Sequence, residues 1–173
     1  MSVTTIIAYT TRYDDLIRIA HSNHWPEVPW QWGKAQLITE SALDPDAVSP
    51  AGAVGIAQFL PDTWDEVSEE LFDTLATNPH DPVQAIEAYA YYMARQWHAW
   101  TSPRPWIDHL RLAQASYNCG RGYLLSAQRL AGGATGYDTI IAQLPNVPHV
   151  DAQQVIQYVR RIERVFKTLT VTS

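Results

Sequence analysis

The stretch LITESALDPDAVSPAGAVGIAQFLPDTW, residues 37–64, joins an apolar helical segment to a loop that is rich in Ser, Pro and Gly. The helical segment ends on an acid, Glu40. The last turn of a helix carries partial negative charge on its unpaired carbonyl groups, so a carboxylate there is disfavoured and its pKa tends to rise. A carboxyl group that stays protonated near neutral pH can act as a general acid. On position alone we nevertheless favour a simpler interpretation of Glu40, an exposed helix end or a cap on the loop.

Helical periodicity extends on both sides of this stretch. The helices that it predicts span residues 11–24, 29–40, 63–71, 82–98, 106–118, 121–131 and 151–169. Thr11 resembles an N-terminal cap, and Thr63 with Glu66 resembles a capping box. Residues 41–52 are typical of an irregular loop. Because no run of alternating strands is present, the pattern predicts a compact, mainly α fold with little β structure.

The length and composition of the chain are those of one globular domain. It has 173 residues, of which 46% are hydrophobic and 17% charged, enough to enclose a sizeable core. We expect a single domain over residues 1–173. Its expected parts are an N-terminal helix within 1–24, a motif-bearing core over 29–131 and C-terminal helices within 137–170.

The charges are unevenly distributed along the chain. The net charge is -6, which disfavours a nucleic-acid or anionic-membrane partner because both require a basic face. Residues 1–90 contain 3 basic and 14 acidic side chains, whereas residues 91–173 contain 9 and 4. Either the two halves neutralise each other on folding, or an acidic lobe faces a basic lobe across a cleft. We favour the first interpretation, because charge runs usually mark solvated faces.

The cysteine count, the histidine positions and the N-terminal sequence predict that several features are absent. Cys119 is the only cysteine, so no intrachain disulfide can form, and we expect a small buried hydrophobe there. His21 and His24 share a helix face, but two ligands do not make a structural zinc site. We therefore expect no metal and no cofactor. Residues 1–20 lack a basic segment and a sustained apolar run, so we expect no signal peptide and no membrane anchor.

An ordered set of motifs follows the first helical segments. Glu40-Ser41 is followed by Ser-x-x-Gly-Ala-x-Gly-x-x-Gln-x-x-Pro over residues 49–61 and by Ala-Ser-Tyr-Asn-Cys-Gly over residues 115–120. Together these motifs resemble the soluble lytic transglycosylase (SLT) domain, a lysozyme-like family that cleaves the glycan strands of bacterial peptidoglycan. The resemblance covers residues 29–131 and extends more weakly to about 165. It implies a lysozyme-like fold of the goose-type or lytic transglycosylase kind, with a central cleft.

The resemblance also implies roles for individual residues. Glu40 matches the catalytic acid of the family. The positions that match its substrate-contacting groups are Ser49, Gln58, Tyr117, Asn118 and Tyr158. Of these, Ser49 and Gln58 would hydrogen-bond the N-acetyl sugar beside the cleaved bond, and the Tyr-Asn pair would orient Glu40 and the sugar. Tyr158 matches the tyrosine of a late helix in the family.

Two positions depart from the family pattern. Ala57 stands where the family commonly has Met, which removes a flexible apolar wall from a sugar subsite. Gln154 stands where many members have an acid, four residues before the late tyrosine. An amide can hydrogen-bond but cannot carry a negative charge, so any role that needs that charge is absent or moved.

Glycoside cleavage normally uses two carboxyl groups, but only Glu40 belongs to the motif set. Asp44 and Asp46 lie in a Pro-rich loop, where we expect solvated turn formers. One acid suffices if the N-acetyl carbonyl of the substrate is the nucleophile. The resemblance implies that Glu40 protonates the bond between N-acetylmuramic acid and N-acetylglucosamine and then deprotonates the C6 hydroxyl, which gives a 1,6-anhydro sugar. Gly52 and Gly55 are expected to let the backbone approach the sugar.

Two alternative functions remain open. A goose-type lysozyme of the same fold would use water instead of the C6 hydroxyl. A wall-binding or virion-structural module would hold glycan without cutting it. The lack of an export signal, with a wall-directed activity, favours a bacteriophage lysis enzyme made in the host cytoplasm, or an enzyme carried in a virion. We expect a monomer whose partner is the peptidoglycan glycan strand.

Tryptophan is abundant, with seven in the chain. Flat aromatic rings can stack on sugar faces, although core packing is their commoner role. Trp97 lies on a helical apolar stripe and is expected in the core. The tryptophans that flank the motif, and for which cleft and core both stay open, are Trp25, Trp30, Trp32 and Trp64.

Overall fold

The computed structural model describes residues 10–72 and 76–171. Its α-helices are α1 (Asp14–His24), α2 (Trp30–Ser41), α3 (Pro61–Leu71), α4 (Pro82–His98), α5 (Trp106–Cys119), α6 (Arg121–Leu130), α7 (Tyr137–Ile141) and α8 (Ala152–Val171), with a 3-10 turn at Leu144–Asn146. No strand occurs in those two ranges, which contain only the isolated bridges Val48–Val54 and Val54–Phe59. The predicted mainly α fold is confirmed. The predictions for residues 1–9, including the start of the 1–24 segment, lie outside the described residues.

Local signals fix the ends of some helices and not of others. α4 has the predicted bounds because the Asp81 carboxylate accepts a hydrogen bond from the Val83 amide at 2.9 Å and Pro82 suits the first turn. The predicted caps at Thr11 and Thr63 are wrong. α1 begins at Asp14 without a side-chain cap, and α3 begins at Pro61, which places Thr63 inside the helix. A proline at the first helical position determines the start of α3.

The second helix lies at the centre of the fold. α2 packs against both α8 and α1, and every residue from Trp32 to Thr39 is buried. Trp32 stacks on Phe166 of α8, with ring centroids 3.8 Å apart and an interplanar angle of 6°. A helix that is buried on all sides cannot be amphipathic, so α2 has no polar face. Its position in the core holds Glu40, near its C-terminal end, against α8.

Polar groups buried on α2 are paired with neighbouring helices. The Lys34 ammonium lies 2.6 Å from the Asp14 carboxylate of α1. The Gln36 carbonyl oxygen accepts a hydrogen bond from the Tyr89 hydroxyl of α4 at 3.0 Å. Such cross-helix pairs fix the rotation of a buried helix, because leaving either partner unpaired costs free energy. They therefore determine which way the end of α2 faces.

The acidic and basic halves of the chain meet in an ion-pair contact between α3 and α4. Arg95 of α4 lies 2.8 Å from both Glu66 and Glu70 of α3. This ion pair agrees with the interpretation favoured from the sequence, in which the two halves neutralise each other on folding. On α8 the acid Glu163 pairs with Arg111 of α5 at 2.7 Å, within the basic half.

The tryptophans belong mainly to the core. Trp97 is buried as predicted. Trp25, Trp32 and Trp64 are also buried, and Trp30 packs against the core while partly exposed. None of the four tryptophans that flank the motif lines the cleft described below.

Candidate active site

A cleft of about 260 Å³ lies between the end of α2, the loop of residues 42–60 and the ends of α5 and α8. The predicted site residues that line it are Glu40, Ser49, Gln58, Tyr117 and Asn118. The sixth, Tyr158, donates a hydrogen bond from its hydroxyl to Oε1 of Glu40. The fold thus brings together all six residues, the first and last of which lie 118 positions apart in the chain.

Glu40 is a partly buried carboxyl group that lines this cleft. Burial raises its pKa from 4.5 to about 7, against the opposing effects of the Tyr158 hydrogen bond and the positive charge of Arg161. The direction of this shift agrees with the sequence prediction. Its main cause is removal of the carboxylate from water rather than the helix end alone. Near neutral pH both the protonated and the ionised forms of Glu40 are therefore populated.

Three tyrosines, of which two are buried and Tyr117 is partly buried, lie close enough to Glu40 to sense its charge. The pKa values of Tyr89, Tyr117 and Tyr158 are raised first by burial and then by the negative charge of Glu40. All three hydroxyls consequently stay protonated at physiological pH and act as hydrogen-bond donors. Glu40 thus sits in an aromatic surrounding that disfavours its ionised form, with a hydroxyl donor at one oxygen.

Tyr117 contacts the loop rather than the acid. Its hydroxyl donates to the Ala57 carbonyl oxygen at 2.6 Å, and its ring lies edge-on to Tyr89 and Tyr92. The resemblance implied that this tyrosine helps to orient Glu40. The observed hydrogen bond instead fixes the loop that forms one wall of the cleft, while Tyr158 contacts Glu40 directly.

Ser41, next to the acid, ties the loop to the end of α2. Its hydroxyl donates to the Ile56 carbonyl oxygen at 2.8 Å and accepts from the Asp44 amide at 3.1 Å. On the far side of the loop, Nδ1 of His80 lies 2.9 Å from the Pro45 carbonyl oxygen. The sequence analysis gave Ser41 no role of its own, although the Glu-Ser dipeptide marked its position. These contacts hold an irregular segment in one shape without a strand or a helix.

Ser49 and Gln58 are held in the loop by hydrogen bonds that leave one polar group of each free. The Ser49 hydroxyl oxygen accepts from the Ala53 amide at 3.0 Å, which leaves its proton for another acceptor. The Gln58 Nε2 group donates to the carbonyl oxygens of Ala47 at 3.2 Å and Gly55 at 2.9 Å. Within the described part of the chain the Gln58 carbonyl oxygen accepts no hydrogen bond. The loop wall of the cleft therefore presents one free donor, the Ser49 hydroxyl proton, and one free acceptor, the Gln58 carbonyl oxygen.

The two loop glycines do not contact the cleft, contrary to the expectation from the sequence. Neither Gly52 nor Gly55 lines it. Gly55 has φ 73°, and a Cβ atom built there would lie 2.0 Å from the Pro79 carbonyl oxygen. Its lack of a side chain serves the close approach of residue 79 to the loop. Gly52 has φ 82° and open space around it, so only its backbone conformation favours glycine.

The opposite wall has two side-chain amides that make no hydrogen bond to the rest of the described chain. Asn118 ends the Tyr-Asn pair on α5, and Gln154 lies in the first turn of α8.

Sequence reasoning missed Tyr92, which also lines the cleft from α4. Its signal was present in the helical spacing, because Tyr92 lies three residues after Tyr89 and so on the same face.

Comparison with known proteins agrees with this geometry. The transglycosylase SLT domain family matches residues 19–140. The chain belongs to this family. It is 28% identical to the membrane-bound lytic murein transglycosylase F of Alcanivorax borkumensis, over 91% of this chain and 35% of that protein. It is 33% identical to the enzyme of the same name from Maricaulis maris, over 61% of this chain and 22% of the relative.

Solved structures show the same fold. The 70 kDa soluble lytic transglycosylase from Escherichia coli superposes with a TM-score of 0.69 at 20% identity, over 94% of this chain and 25% of that one. An inactive mutant of lytic transglycosylase Slt from Pseudomonas aeruginosa superposes with a TM-score of 0.71 at 23% identity, over 91% of this chain and 24% of that one. The expected lysozyme-like fold of the lytic transglycosylase kind is thereby confirmed. This SLT domain spans about a third or less of the length of these relatives. None of its described helices is long and apolar enough to cross a membrane.

Glu40 is the only carboxyl group among the described residues that line the cleft of the SLT domain. Asp44 and Asp46 are exposed, and the Asp46 amide donates to the Asp44 carboxylate at 2.9 Å. This contact is an Asx turn, as expected for turn formers. Within residues 10–72 and 76–171 no group of three or more His, Cys, Asp or Glu side chains could hold a metal ion.

The single cysteine of the SLT domain is half-buried at the end of α5, less enclosed than the sequence suggested. Burial raises the pKa of the Cys119 thiol from 9.0 to about 11. Only the thiolate is a nucleophile, so this thiol is unreactive at neutral pH.

Proposed function

We propose that this SLT domain is a peptidoglycan lytic transglycosylase that cleaves the β-1,4 bond between N-acetylmuramic acid and N-acetylglucosamine. The observation that carries the proposal is one partly buried carboxyl group in the cleft, Glu40, with a pKa of about 7 and Tyr158 as its hydrogen-bond donor. Membership of the SLT family and the names of the curated relatives support the same activity.

In the first step, protonated Glu40 gives its proton to the glycosidic oxygen, and the bond from that oxygen to C1 of the muramic acid breaks. No second carboxyl group lines the described part of the cleft. The carbonyl oxygen of the substrate N-acetyl group therefore supplies the electron pair that bonds to C1. Tyr158 stabilises the carboxylate that forms on Glu40, because a donor aimed at developing negative charge lowers the barrier.

The loop wall is suited to hold the N-acetyl group during this step. An acetamido group has one N–H donor and one carbonyl acceptor. In this proposal the free carbonyl oxygen of Gln58 accepts from that N–H, and Ser49 and Asn118 supply polar contacts around the sugar. Holding the reacting oxygen next to C1 turns the attack into an intramolecular reaction in a fixed geometry.

In the second step, the Glu40 carboxylate removes the proton of the C6 hydroxyl, whose oxygen attacks C1 and displaces the N-acetyl oxygen. The product is a 1,6-anhydro sugar, and Glu40 is protonated again for the next cycle. A group that acts as acid and then as base works best when its pKa lies near the working pH. The reaction consumes no water.

Mass spectrometry of purified cell wall after digestion tests this proposal. We expect 1,6-anhydro ends, whereas hydrolysis by a goose-type lysozyme would give reducing ends that are heavier by one water. Glu40→Gln is expected to lower the rate about 100- to 10,000-fold, the range typical of a lost general acid. Asp46→Asn makes the same chemical change in the exposed loop and is expected to keep full activity.

Other outcomes of this assay would support other functions. Equal clearing of cell wall by the native chain and Glu40→Gln would overturn the assignment of Glu40. Binding of cell wall by both chains without cleavage by either would indicate a wall-binding or virion-structural module.

We also propose a biological setting, lysis of a bacterial host during phage release or wall penetration by an enzyme carried in a virion. A wall-directed activity supports this proposal. Expression inside bacteria, with and without a separate pore-forming membrane protein, tests the lysis role, and we expect rapid lysis only when both are present. The monomeric state stays a prediction that light scattering can check.

A further inference from the structure

Three tyrosine hydroxyls lie near Glu40, but only one of them donates to it. Tyr158 donates to Oε1 of the acid. The hydroxyl of Tyr117 donates to a carbonyl oxygen of the loop at 2.6 Å. That of Tyr89 donates to Oε1 of Gln36 at 3.0 Å. A tyrosine hydroxyl has a single proton, so the second and third hydroxyls have none left for the acid.

Gln36 is placed and oriented to accept the proton of Tyr89. It lies four residues before Glu40, about one helical turn, so the two side chains lie on the same face of α2. Gln36 and Tyr89 are both fully buried. The Nε2 group of Gln36 donates to the Met93 sulfur at 3.4 Å. A thioether sulfur can only accept, so this contact turns the NH2 group away from the hydroxyl and the carbonyl oxygen towards it.

Tyr89 lies behind the wall of the cleft and close to the acid. Its ring is edge-on to that of Tyr117, which lines the cleft, with centroids 5.7 Å apart. The pKa of Tyr89 is raised by burial and then by the negative charge of Glu40, so the two groups lie near each other. A buried hydroxyl without an acceptor costs free energy. If Gln36 did not accept its proton, the strongest acceptor near the hydroxyl would be the Glu40 carboxylate, because ionised acceptors form stronger hydrogen bonds than neutral ones.

The groups that face Glu40 already include two that favour its ionised form. Both come from α8, the hydroxyl of Tyr158 and the positive charge of Arg161. The titratable side chains that face it from α4 and α5 are uncharged tyrosines, Tyr89, Tyr92 and Tyr117. A second hydroxyl donor would add to the two groups of α8, and less of the acid would be protonated at neutral pH. A general acid must hold its proton before it can give it to a leaving group.

We propose that Gln36 is a positioning residue that holds the Tyr89 hydroxyl away from Glu40, so that the acid keeps a single hydroxyl donor and retains its proton for the first step. This inference rests on the proposed function. It gives the pair of Gln36 and Tyr89 a role in the reaction in addition to its contribution to helix packing.

Two substitutions break the same hydrogen bond from opposite sides. Gln36→Met nearly keeps the size of the side chain, removes the acceptor and leaves the Tyr89 hydroxyl free. Tyr89→Phe removes the hydroxyl itself and is the matched control. The double variant lacks both groups. A purely structural hydrogen bond would make the two single variants equivalent, whereas the proposal makes them different.

Infrared spectroscopy measures the titration of Glu40 directly, because the C=O stretching band of a protonated carboxyl group disappears on ionisation. Subtraction of the spectrum of Glu40→Gln, made in each background, identifies this band. The alkaline limb of the pH profile of kcat/KM is the second readout. Circular dichroism checks that each variant is folded.

We expect the pKa of Glu40 to fall from about 7 to about 6 or lower in Gln36→Met, since a hydrogen bond to a charged group shifts a pKa by about one unit or more. In Tyr89→Phe and in the double variant it should stay near the native value. The alkaline limb should move to lower pH in Gln36→Met only. At pH 7 this change corresponds to about fivefold less protonated acid, and to a rate that is lower by the same factor.

Equal shifts in the two single variants, or no shift in Gln36→Met, would overturn the proposal. So would a Gln36→Met chain that unfolds while the double variant folds, because the free hydroxyl would then have found no acceptor. The infrared titration needs no turnover, so it separates this result from failure of the proposed function. A chain that shows the expected shifts but leaves cell wall uncut refutes the lytic activity alone, whereas an active chain without the shifts refutes the role of Gln36 alone.

Discussion

At Glu40 the cost of burying a carboxylate exceeds the stabilisation that Tyr158 and Arg161 provide. Both partners favour the ionised form, yet the pKa still rises to about 7. This balance suits a residue that must first lose and then regain a proton, since neither form is far from reach at neutral pH. A stronger set of donors would leave Glu40 permanently ionised and unable to protonate a leaving group.

Tyr158→Phe tests this balance. Loss of the hydroxyl removes a donor that favours the carboxylate, so the pKa of Glu40 is expected to rise above 7. The alkaline limb of the pH profile of kcat/KM should move to higher pH, since activity requires protonated Glu40 in the first step. The rate at its optimum should fall about 10- to 100-fold, because a hydrogen bond to a charged group is lost.

Tyr137→Phe is the matched control for that measurement. Tyr137 is also a buried tyrosine, but it lies on α7 and neither lines the cleft nor contacts Glu40. We expect the alkaline limb of Tyr137→Phe to lie at the same pH as that of the native chain. A limb that moves to lower pH in Tyr158→Phe would show that the hydroxyl does not stabilise the carboxylate.

Single residues also show where sequence reasoning reaches its limit. The position of Glu40 at a helix end predicted a raised pKa, but the enclosing tyrosines come from α4, α5 and α8 and leave no local mark near residue 40. The contact between Tyr158 and Glu40 joins positions 118 residues apart. Periodicity cannot predict such a pair, and only the resemblance to a family indicated Tyr158.

At the scale of elements, part of the loop of residues 42–60 could be predicted from the sequence and part could not. The proline, serine and glycine content of residues 41–52 predicted an irregular segment, and the structure confirms this except at Ser41, which ends α2. The reason for Gly55 was not predictable, because the Pro79 carbonyl oxygen comes from a segment 24 positions later. A local pattern reveals that a glycine permits a turn, but it does not reveal which backbone approaches it.

Two glycines of this loop allow a controlled test. Both have positive φ, so an alanine at either site costs about 1 kcal/mol of backbone strain. Only at Gly55 would the new Cβ atom also meet backbone, 2.0 Å from the Pro79 carbonyl oxygen. Gly52→Ala is expected to lower the free energy of unfolding by about 1 kcal/mol, and Gly55→Ala by about 3 kcal/mol or more.

Urea denaturation measures both values, and cell-wall digestion gives KM for the same proteins. Gly55→Ala should raise KM because the displaced loop carries Gln58, whereas Gly52→Ala should leave KM close to native. Equal destabilisation of the two variants would mean that residue 79 yields without cost, contrary to the structural role inferred for Gly55.

For the whole molecule, the sequence predicted the order of the main helices better than their arrangement. Amphipathic helices such as α8 show one apolar stripe, which predicts a face but not its partner. α2 shows no stripe, because it is surrounded by other helices, and its central place became evident only from the packing. The charge asymmetry was likewise visible in the sequence. It needed the structure to show which charges pair, as Arg95 of α4 does with Glu66 and Glu70 of α3.

Two buried titratable groups oppose each other in the stability of the whole molecule. Burial lowers the pKa of His21 from 6.5 to about 4, so its contribution to stability is present above pH 6.5 and is lost as the pH falls through 4. Glu40 behaves in the opposite way. Because its folded pKa is raised, its contribution is present below pH 4.5 and is lost as the pH rises through about 7. Between these limits the two effects have opposite slopes and largely cancel.

Glu40→Gln separates the two groups. Near pH 4 the native side chain is protonated whether the chain is folded or not, so an amide should leave the free energy of unfolding close to native. Above pH 7 the native fold must bury a carboxylate, whereas the variant does not. A rise in pKa from 4.5 to about 7, at about 1.4 kcal/mol for each pH unit, corresponds to a gain in the variant of about 3 kcal/mol. Urea unfolding from pH 4 to 8 measures this difference, in which the His21 contribution cancels. A pH-independent difference for Glu40→Gln would mean that the fold does not hold Glu40 in its protonated form.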